Sequence, residues 1–468
     1  MQIPRIIQGG MGVAVSNWRL AKAVSKLGQL GVVSGTALDS VLVRRLQDGD
    51  GDGHVRRALA QFPVPALSER ALESFFLPEG RPDGAPYKRL TMPSRATHPD
   101  HGWLSVLGGF VEVYLAKEGH EGLVGINLLT KIQMTSLPTL YGALLAGVNV
   151  VLMGAGIPRE IPDALTQLTT GQVASLRLEV TGGLEPVMLE FDPLALMGTR
   201  LQLPRPDFLP IVASNVLATM LARRGPDAVQ GFVVEAATAG GHNAPPRGAP
   251  SFDARGQPIY SAKDEVDLEA LQKLGLPFWL AGGCGSPQAL RDALSRGAAG
   301  IQVGTLFAYC AESGFEASLK RAVLEGVTRG CSDVLTDPRA SPTGFPFKVV
   351  DVPGTLSDAA VYEARARVCD LGYLREAYQK DGDIGFRCAA EPVDTYLAKG
   401  GRLEDTVGRK CLCNSLIASV GMAQVQRGGV LEPALVTSGD DLVGMGAFLE
   451  RCGSAYAASD VVAYLLNG

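Results

Sequence analysis

Short apolar runs that end in glycine or a polar residue recur between residues 5 and 304 of the chain. Eight of them have the length of a buried β-strand: 5–9, 30–35, 123–128, 148–153, 208–214, 231–235, 277–282 and 300–304. Amphipathic stretches with helical spacing fill most gaps, at 18–27, 134–145, 215–224, 268–274 and 287–295. This alternation predicts parallel βα units, and near-continuous apolar strands are typical of a sheet covered on both faces. Because the strand count reaches eight, we predict an α/β fold built on a (β/α)₈ barrel, the TIM barrel, rather than an open sheet.

Three segments fall outside the repeating pattern. Residues from about 44 to 100 are rich in proline, glycine and charge, which predicts a surface insertion after the second strand. Two alternating runs around Thr181, Gly182 and Gly183 predict a β-hairpin within about 172–200. Helical periods at 311–325, 357–378, 411–424 and 441–451 predict a helical tail beside the barrel mouth. We therefore expect a barrel over residues 1–308 and a helical, substrate-side region over 309–468.

The composition narrows the classes of protein that this chain can represent. Its 468 residues, 46% of them hydrophobic, are enough to bury one large core. A net charge of −5 without a long basic stripe makes nucleic acid an unexpected partner. The most apolar stretch, 143–157, is shorter than the roughly 20 residues of a membrane helix, so no membrane association is expected.

The amino terminus and the cysteines indicate the cellular setting. No charged, apolar and small-residue sequence of a secretory signal follows Met1, so the cytoplasm is the expected location. The C-x-C of Cys411 and Cys413 does not match the usual metal-binding spacing, and we expect no metal.

Two glycine-rich loops follow the seventh and eighth predicted strands, at 281–286 and 302–305. Glycines let backbone N–H groups approach a phosphate, and these loops are the common phosphate site of such barrels. The ordinary alternative is a pair of tight turns. Cys284, inside the first loop, is interpreted as a small neighbour of the glycines rather than as a nucleophile, because no base is near it in sequence.

His242 ends a glycine-rich loop that begins at Glu235, after the sixth predicted strand. A histidine at this face can reach a substrate, and its ordinary pKa suits proton transfer near neutral pH. A further glycine loop at 8–12 could contact a planar ring, and Asn127, at the end of the third strand, could bind a pyrimidine-like edge. Turn glycines and a capping asparagine are the ordinary alternative.

Residues 6–11, 125–128, 240–242 and 281–283, with Gly304 and Thr305, together resemble the nitronate monooxygenase family, formerly called 2-nitropropane dioxygenases. That family also includes FMN-dependent enoyl-acyl-carrier-protein reductases. The resemblance implies FMN as the cofactor and His242 as the active-site histidine. It implies that the cofactor is bound by Gly9, Gly10, Met11, Asn127, Glu235, Gly240, Gly241, Gly282, Gly283, Cys284, Gly304 and Thr305.

Two reactions follow from the resemblance. The first is oxidation of alkyl nitronates with O₂, with His242 as base or hydrogen-bond partner of the nitro group. The second is NADPH-dependent reduction of an enoyl thioester, with His242 as candidate proton donor. The loop from Glu235 to His242 is longer than the family's short E-A-G-G-H, and the insertion and tail resemble the enoyl reductase of polyunsaturated fatty acid synthases. A flavin-loaded partner protein and an FMN-free barrel that binds a phosphorylated metabolite stay open, as does a homodimer.

Overall fold

The computed structural model describes residues 3–94 and 98–468, except for the side chains of 98–101. The strands in chain order are β1 Ile6–Gln8, β2 Gly31–Ser34, β3 Val124–Leu129, β4 Val150–Gly154, β5 Ala174–Leu178, β6 Val180–Thr181, β7 Val187–Phe191, β8 Asp207–Val212, β9 Phe232–Glu235, β10 Phe278–Ala281, β11 Gly300–Val303, β12 Val334–Asp337, β13 Phe347–Val350, β14 Glu376–Lys380 and β15 Asp383–Arg387.

The helices alternate with these strands and then dominate the tail. They are α1 Trp18–Lys26, α2 Leu38–Gln47, α3 His54–Leu59, α4 Pro65–Phe75, α5 His98–Lys117, α6 Ser136–Leu145, α7 Ile161–Thr169, α8 Pro193–Met197, α9 Asn215–Ala222, α10 Leu268–Gln272, α11 Pro287–Ser295, α12 Thr305–Ala308, α13 Ala317–Thr328, α14 Ala359–Ala364, α15 Val393–Ala398, α16 Leu412–Ala418, α17 Gly446–Cys452 and α18 Ala458–Asn467. Short 3₁₀ helices lie at Ala262–Asp264, Leu403–Thr406, Arg427–Gly429 and Asp440–Met445.

Eight parallel strands form one sheet in the order β1-β11-β10-β9-β8-β4-β3-β2. A parallel bridge between Ile7 and Leu30 joins the two ends of this order, and the Gln8 N–H donates to the Leu30 carbonyl at 2.9 Å. The sheet therefore closes into a (β/α)₈ barrel. All eight predicted strands are present, and the fold prediction is confirmed.

The barrel has apolar side chains on both faces of its strands, which explains the near-continuous apolar runs in the sequence. A cluster inside the barrel contains Ile7, Val32, Leu152, Val233 and Trp279 among its buried members. The Trp279 indole is fully buried, and its Nε1–H donates to the Pro4 carbonyl at 2.8 Å, which satisfies its polar atom. A larger cluster fills the layer between the strands and the surrounding helices.

The described residues of the insertion after the second strand add no strand to the barrel, but many of them are buried. Val55, Leu59, Phe62 and Phe75 are buried in the main hydrophobic cluster. These apolar residues recur at helical spacing among the charges, so α3 and α4 each bury one face. The composition of the segment hid this pattern from the sequence analysis.

The predicted hairpin is present, with β5 and β7 paired antiparallel and Leu176 opposite Leu189. The tail contains helices, as predicted, and also four strands that were not predicted. The helix predicted at 357–378 is confirmed only over α14, and its end is wrong, because β14 begins at Glu376 and pairs antiparallel with β15. Asp381 and Gly382 connect these strands and both have positive φ, the conformation of a two-residue hairpin turn.

The tail is joined to the hairpin through backbone pairing. β6 runs parallel to β14, with Val180 opposite Ala377 and Thr181 opposite Tyr378. Within the described part of the chain, no helix has the length and apolar character needed to cross a membrane.

Candidate active site

A large pocket lies at the carboxyl ends of the barrel strands, where loops from the barrel meet segments of the tail. It contains and opens onto about 1500 Å³ of empty space. All thirteen residues predicted for the site lie on its wall: Gly9, Gly10, Met11, Asn127, Glu235, Gly240, Gly241, His242, Gly282, Gly283, Cys284, Gly304 and Thr305. The fold thus brings together residues from β3 and from the carboxyl ends of four other barrel strands, although their roles in binding and catalysis stay predictions.

One side of the pocket, here called the Asn127 wall, consists of Gly9, Gly10, Met11, Asn127 and Gln302. Asn127 Nδ2 donates to the Gly10 carbonyl at 3.0 Å, whereas its Oδ1 is buried without a partner among the described residues. Gln302 Oε1 is likewise buried without a hydrogen-bond partner among the described residues. A buried acceptor without a donor costs about 1–3 kcal/mol, so these two oxygens indicate a place for a ligand that donates hydrogen bonds.

The backbone of the Asn127 wall is fixed by a small network beneath it. Ser16 Oγ accepts from the Met11 N–H at 2.9 Å and from Gln8 Nε2 at 2.8 Å, and it donates to the Gly9 carbonyl at 2.7 Å. A methyl group on Gly10 would overlap the Asn127 side chain, so glycine is required for the loop to approach this closely. The wall is therefore rigid before any ligand binds.

His242 lies on the pocket wall in a segment that pairs with β13. Its backbone bridges to Phe347, whose ring meets the imidazole edge to face at 4.9 Å between centroids. Nε2 lies 2.7 Å from Ser341 Oγ. Burial lowers the pKa of His242 to about 4, and the positive charge of Lys131 acts in the same direction. The imidazole is therefore neutral at physiological pH.

Glu235 ends β9 and lines the same pocket. Burial raises the pKa of its carboxyl group to about 8. The group is therefore mostly a neutral acid near pH 7, able to donate a hydrogen bond or a proton. Ordinarily a histidine is the proton donor of such a pair and a glutamate is ionised. Here the carboxyl group of Glu235 is the better proton donor, because the imidazole of His242 is not protonated.

The loops after β10 and β11 form what we call the glycine cup: Gly282, Gly283, Cys284, Gly304 and Thr305. Gly282 and Gly283 have φ of 92° and 68°, values that favour glycine. Burial and the charge of Asp441 raise the pKa of Cys284 to about 11, so its thiol stays protonated. This agrees with its interpretation as a small side chain and not a nucleophile.

A residue that the sequence analysis missed already occupies the glycine cup. The Thr305 hydroxyl donates to Asp441 Oδ1, and the Gly439 N–H donates to Thr305 Oγ1 at 3.2 Å. The Gly285 N–H also donates to the Asp441 carboxylate, whose pKa is raised by burial. Thr305 is thus already satisfied by the tail, and Asp441 stands 136 positions away from it in sequence.

The tail also shapes the loop that carries His242. The Gly241 N–H donates to Thr437 Oγ1 at 3.0 Å, and the Asn243 N–H donates to the Pro346 carbonyl at 2.9 Å. A side chain on Gly240 would meet the backbone of Ser438 at 2.8 Å. The long loop after β9 therefore fits between two tail segments, neither of which a local motif could have identified.

The barrel and its pocket belong to an oxidoreductase enzyme, as comparison with known proteins supports. Residues 207–335 match the family model described as nitronate monooxygenase. This match confirms the resemblance, and the matched segment contains Glu235, His242 and the glycine cup. Gly9, Gly10, Met11 and Asn127 lie outside the matched segment. No curated protein matches the chain.

Several solved structures align with nearly the whole chain at low identity. FabK from Thermotoga maritima is 15% identical, with 99% of this chain and 92% of that chain covered and a TM-score of 0.46. A nitroalkane oxidase from Streptomyces ansochromogenes is 16% identical, with 99% and 94% covered and a TM-score of 0.43. The enoyl reductase domain of MlnA, from the macrolactin biosynthesis cluster of Bacillus amyloliquefaciens, is 12% identical, with 99% and 94% covered and a TM-score of 0.49.

Proposed function

We propose that this protein is an FMN-dependent monooxygenase that oxidises alkyl nitronates with molecular oxygen. The observation that carries the proposal is a neutral His242, with a pKa of about 4, on the wall of a pocket at the barrel mouth. A weak base of this kind suits a substrate that arrives already deprotonated, as a nitronate does and a neutral nitroalkane does not.

The residues of the pocket fit a flavin at the Asn127 wall. The glycine backbone there offers a flat surface, and the unpaired Oδ1 of Asn127 and Oε1 of Gln302 would accept hydrogen bonds from the edge of the ring. The backbone amides of the glycine cup would face the phosphate. When bound, FMN supplies an acceptor for electrons from the substrate and a donor of electrons to oxygen.

Two side chains of the chain would bind the nitronate. Neutral His242 and protonated Glu235 each offer a hydrogen-bond donor to the oxygens of the nitro group. Ser341 orients the imidazole through its contact with Nε2 at 2.7 Å. No lysine or arginine is among the described residues of the wall, so binding would depend on these neutral donors.

An enoyl-thioester reductase that uses NADPH is the second candidate. The tail gives the pocket an apolar side, with Leu374, Leu412 and Leu416, which suits an acyl chain better than a small nitronate. Glu235, with its pKa of about 8, could supply the proton that this reduction needs at carbon. Among the residues that the structure describes, the pocket wall has no cationic side chain for the additional phosphates of NADPH, and we therefore place this candidate second.

Anaerobic mixing of the FMN-loaded protein with single reagents separates the two reactions. Propyl-2-nitronate should bleach the flavin band near ~450 nm, whereas neutral 2-nitropropane and NADPH should leave it unchanged. Bleaching by NADPH alone would replace the first proposal with the second. Failure of the purified protein to bind FMN would overturn both, and a phosphorylated metabolite would then be the ligand to seek.

A further inference from the structure

The carboxylate of Asp441 lies in the glycine cup, where the phosphate of the cofactor would bind. It accepts from the Thr305 hydroxyl and the Gly285 N–H, groups of the two loops that the phosphate would use. A side chain added to Gly285 would lie 2.9 Å from Asp441 Oδ2, which shows how closely the carboxylate approaches this loop. The carboxylate of Asp441 therefore already uses some of the hydrogen-bond donors that a bound phosphate would need.

Asp441 is held in this position by an adjacent ion pair. Lys348, whose side chain is only 3% exposed, donates to both oxygens of Asp440 at 2.6 and 2.7 Å and to Thr336 Oγ1 at 2.6 Å. The Asp440 N–H also donates to the Thr238 carbonyl at 3.0 Å. The position of Asp441 is thus fixed through the contacts of its neighbour Asp440.

The charge of Asp441 is not neutralised as that of Asp440 is. Its hydrogen bonds come from a hydroxyl and a backbone amide, and no lysine or arginine is found among the described residues that line the pocket. A phosphate that entered the cup would meet a like charge a few ångströms away in a partly buried place, where such repulsion is poorly screened.

We propose that Asp441 determines the cofactor affinity of this site by competing with the cofactor phosphate for the glycine cup. The isoalloxazine and ribityl part of a flavin binds at the Asn127 wall without opposition, whereas the phosphate of FMN must displace or tolerate the carboxylate. The protein consequently gains less from the phosphate of FMN than a site with an open cup would. This inference rests on the proposal that the pocket binds FMN.

The test compares FMN with riboflavin, which lacks the phosphate. Dissociation constants of both are measured by flavin fluorescence for the wild type, for Asp441→Asn, and for Glu450→Gln, which removes an exposed charge from the neighbouring helix α17. Asp441→Asn should tighten FMN binding about tenfold and leave riboflavin within about twofold, because only FMN carries the repelled charge. Glu450→Gln should change neither. An unchanged or weaker affinity of Asp441→Asn for FMN, or an equal change for both flavins, would overturn the inference.

A second measurement needs no flavin and separates this inference from the proposed function. Inorganic phosphate should raise the midpoint of thermal unfolding of Asp441→Asn and not that of the wild type, with chloride at equal ionic strength as the control. If no variant binds either flavin, the proposed function fails while the phosphate experiment still decides the role of Asp441. Asp441→Ser repeats the comparison if the asparagine variant does not fold, and an equal phosphate response in wild type and variant would refute the competition.

Discussion

The Asn127 wall and the glycine cup lie in one pocket and differ in how their polar groups are satisfied. At the Asn127 wall, the barrel leaves Asn127 Oδ1 and Gln302 Oε1 buried without donors. At the glycine cup, the tail supplies Asp441 and Gly439 to Thr305. A ligand that donated hydrogen bonds to the two unpaired oxygens of the Asn127 wall would remove their unfavourable free energy of burial. At the glycine cup, the polar groups already have partners within the protein. The two ends of one pocket can thus differ in how much they gain from a ligand.

The largest effect is expected from His242→Ala. This substitution tests whether His242 acts on the substrate and takes no part in cofactor binding at the Asn127 wall or the glycine cup. Turnover of the nitronate should fall by a factor of about 100 or more, because a positioned donor is lost, while the FMN dissociation constant stays within twofold. Steady-state kinetics and flavin titration on the same preparation measure both. A parallel loss of FMN binding would place His242 in the cofactor site, and full turnover would remove it from the mechanism.

Gly10→Ala should weaken FMN binding by a factor of about 10 to 100, because the added methyl group overlaps Asn127 and forces the rigid wall apart. Gly51→Ala is the matched control, since Gly51 lies outside the pocket and a methyl group there would meet no atom within 4 Å. Flavin stoichiometry after gel filtration and direct titration provide the measurement. Equal effects of the two substitutions would contradict a close approach at Gly10 alone.

Glu235→Gln should produce the smallest effect, one confined to alkaline pH. The raised pKa means that the carboxyl group is protonated below about pH 8 and loses its donor above that value. We expect kcat/KM for the nitronate to fall by about tenfold per pH unit above pH 8 in the wild type and to stay flat in the glutamine variant. His242, neutral above its pKa of about 4, should add no inflection between pH 5 and 8. An alkaline limb that persists in Glu235→Gln would assign it to another group.

The same carboxyl group should affect stability in a direction that follows from its raised pKa. Since the folded protein holds the Glu235 proton more tightly than the unfolded chain, this group favours the folded state at low pH and loses that contribution as the pH rises through about 8. The stability of Glu235→Gln should therefore depend less on pH between 5 and 9, as denaturant titrations of both proteins would show.

The barrel was predictable because its signals are local. Runs such as those that became β4 and β10 are apolar on both faces and end in glycine, and the spacing of these runs reveals the closed parallel sheet. The candidate site residues came mainly from the family resemblance, and the fold brings them into one pocket because the loops of a barrel all meet at the carboxyl ends of its strands. Gln302 was visible inside a recognised motif, but only its orphaned oxygen in the structure shows that it belongs to the Asn127 wall.

The tail was less predictable because its structure depends on distant partners. Nothing near Asp441 in sequence indicates that it meets Thr305, and nothing near Ser341 indicates that it meets His242. The β14–β15 hairpin did have a local signal, Asp381-Gly382, which outweighed the apparent helical period around it. For the insertion, the prediction of surface chain was wrong in part. Its charged composition concealed the apolar faces that α3 and α4 bury.

The parallel pairing of β6 with β14 links the hairpin of the barrel to the tail through shared backbone hydrogen bonds. A barrel cut after residue 308 would leave Val180 and Thr181 as an unpaired strand edge next to the apolar residues that β14 now covers, among them Leu178 and Leu189. Such an edge is a template for association with other chains. We therefore expect a barrel without its tail to aggregate, and the tail to contribute to solubility as well as to the shape of the pocket.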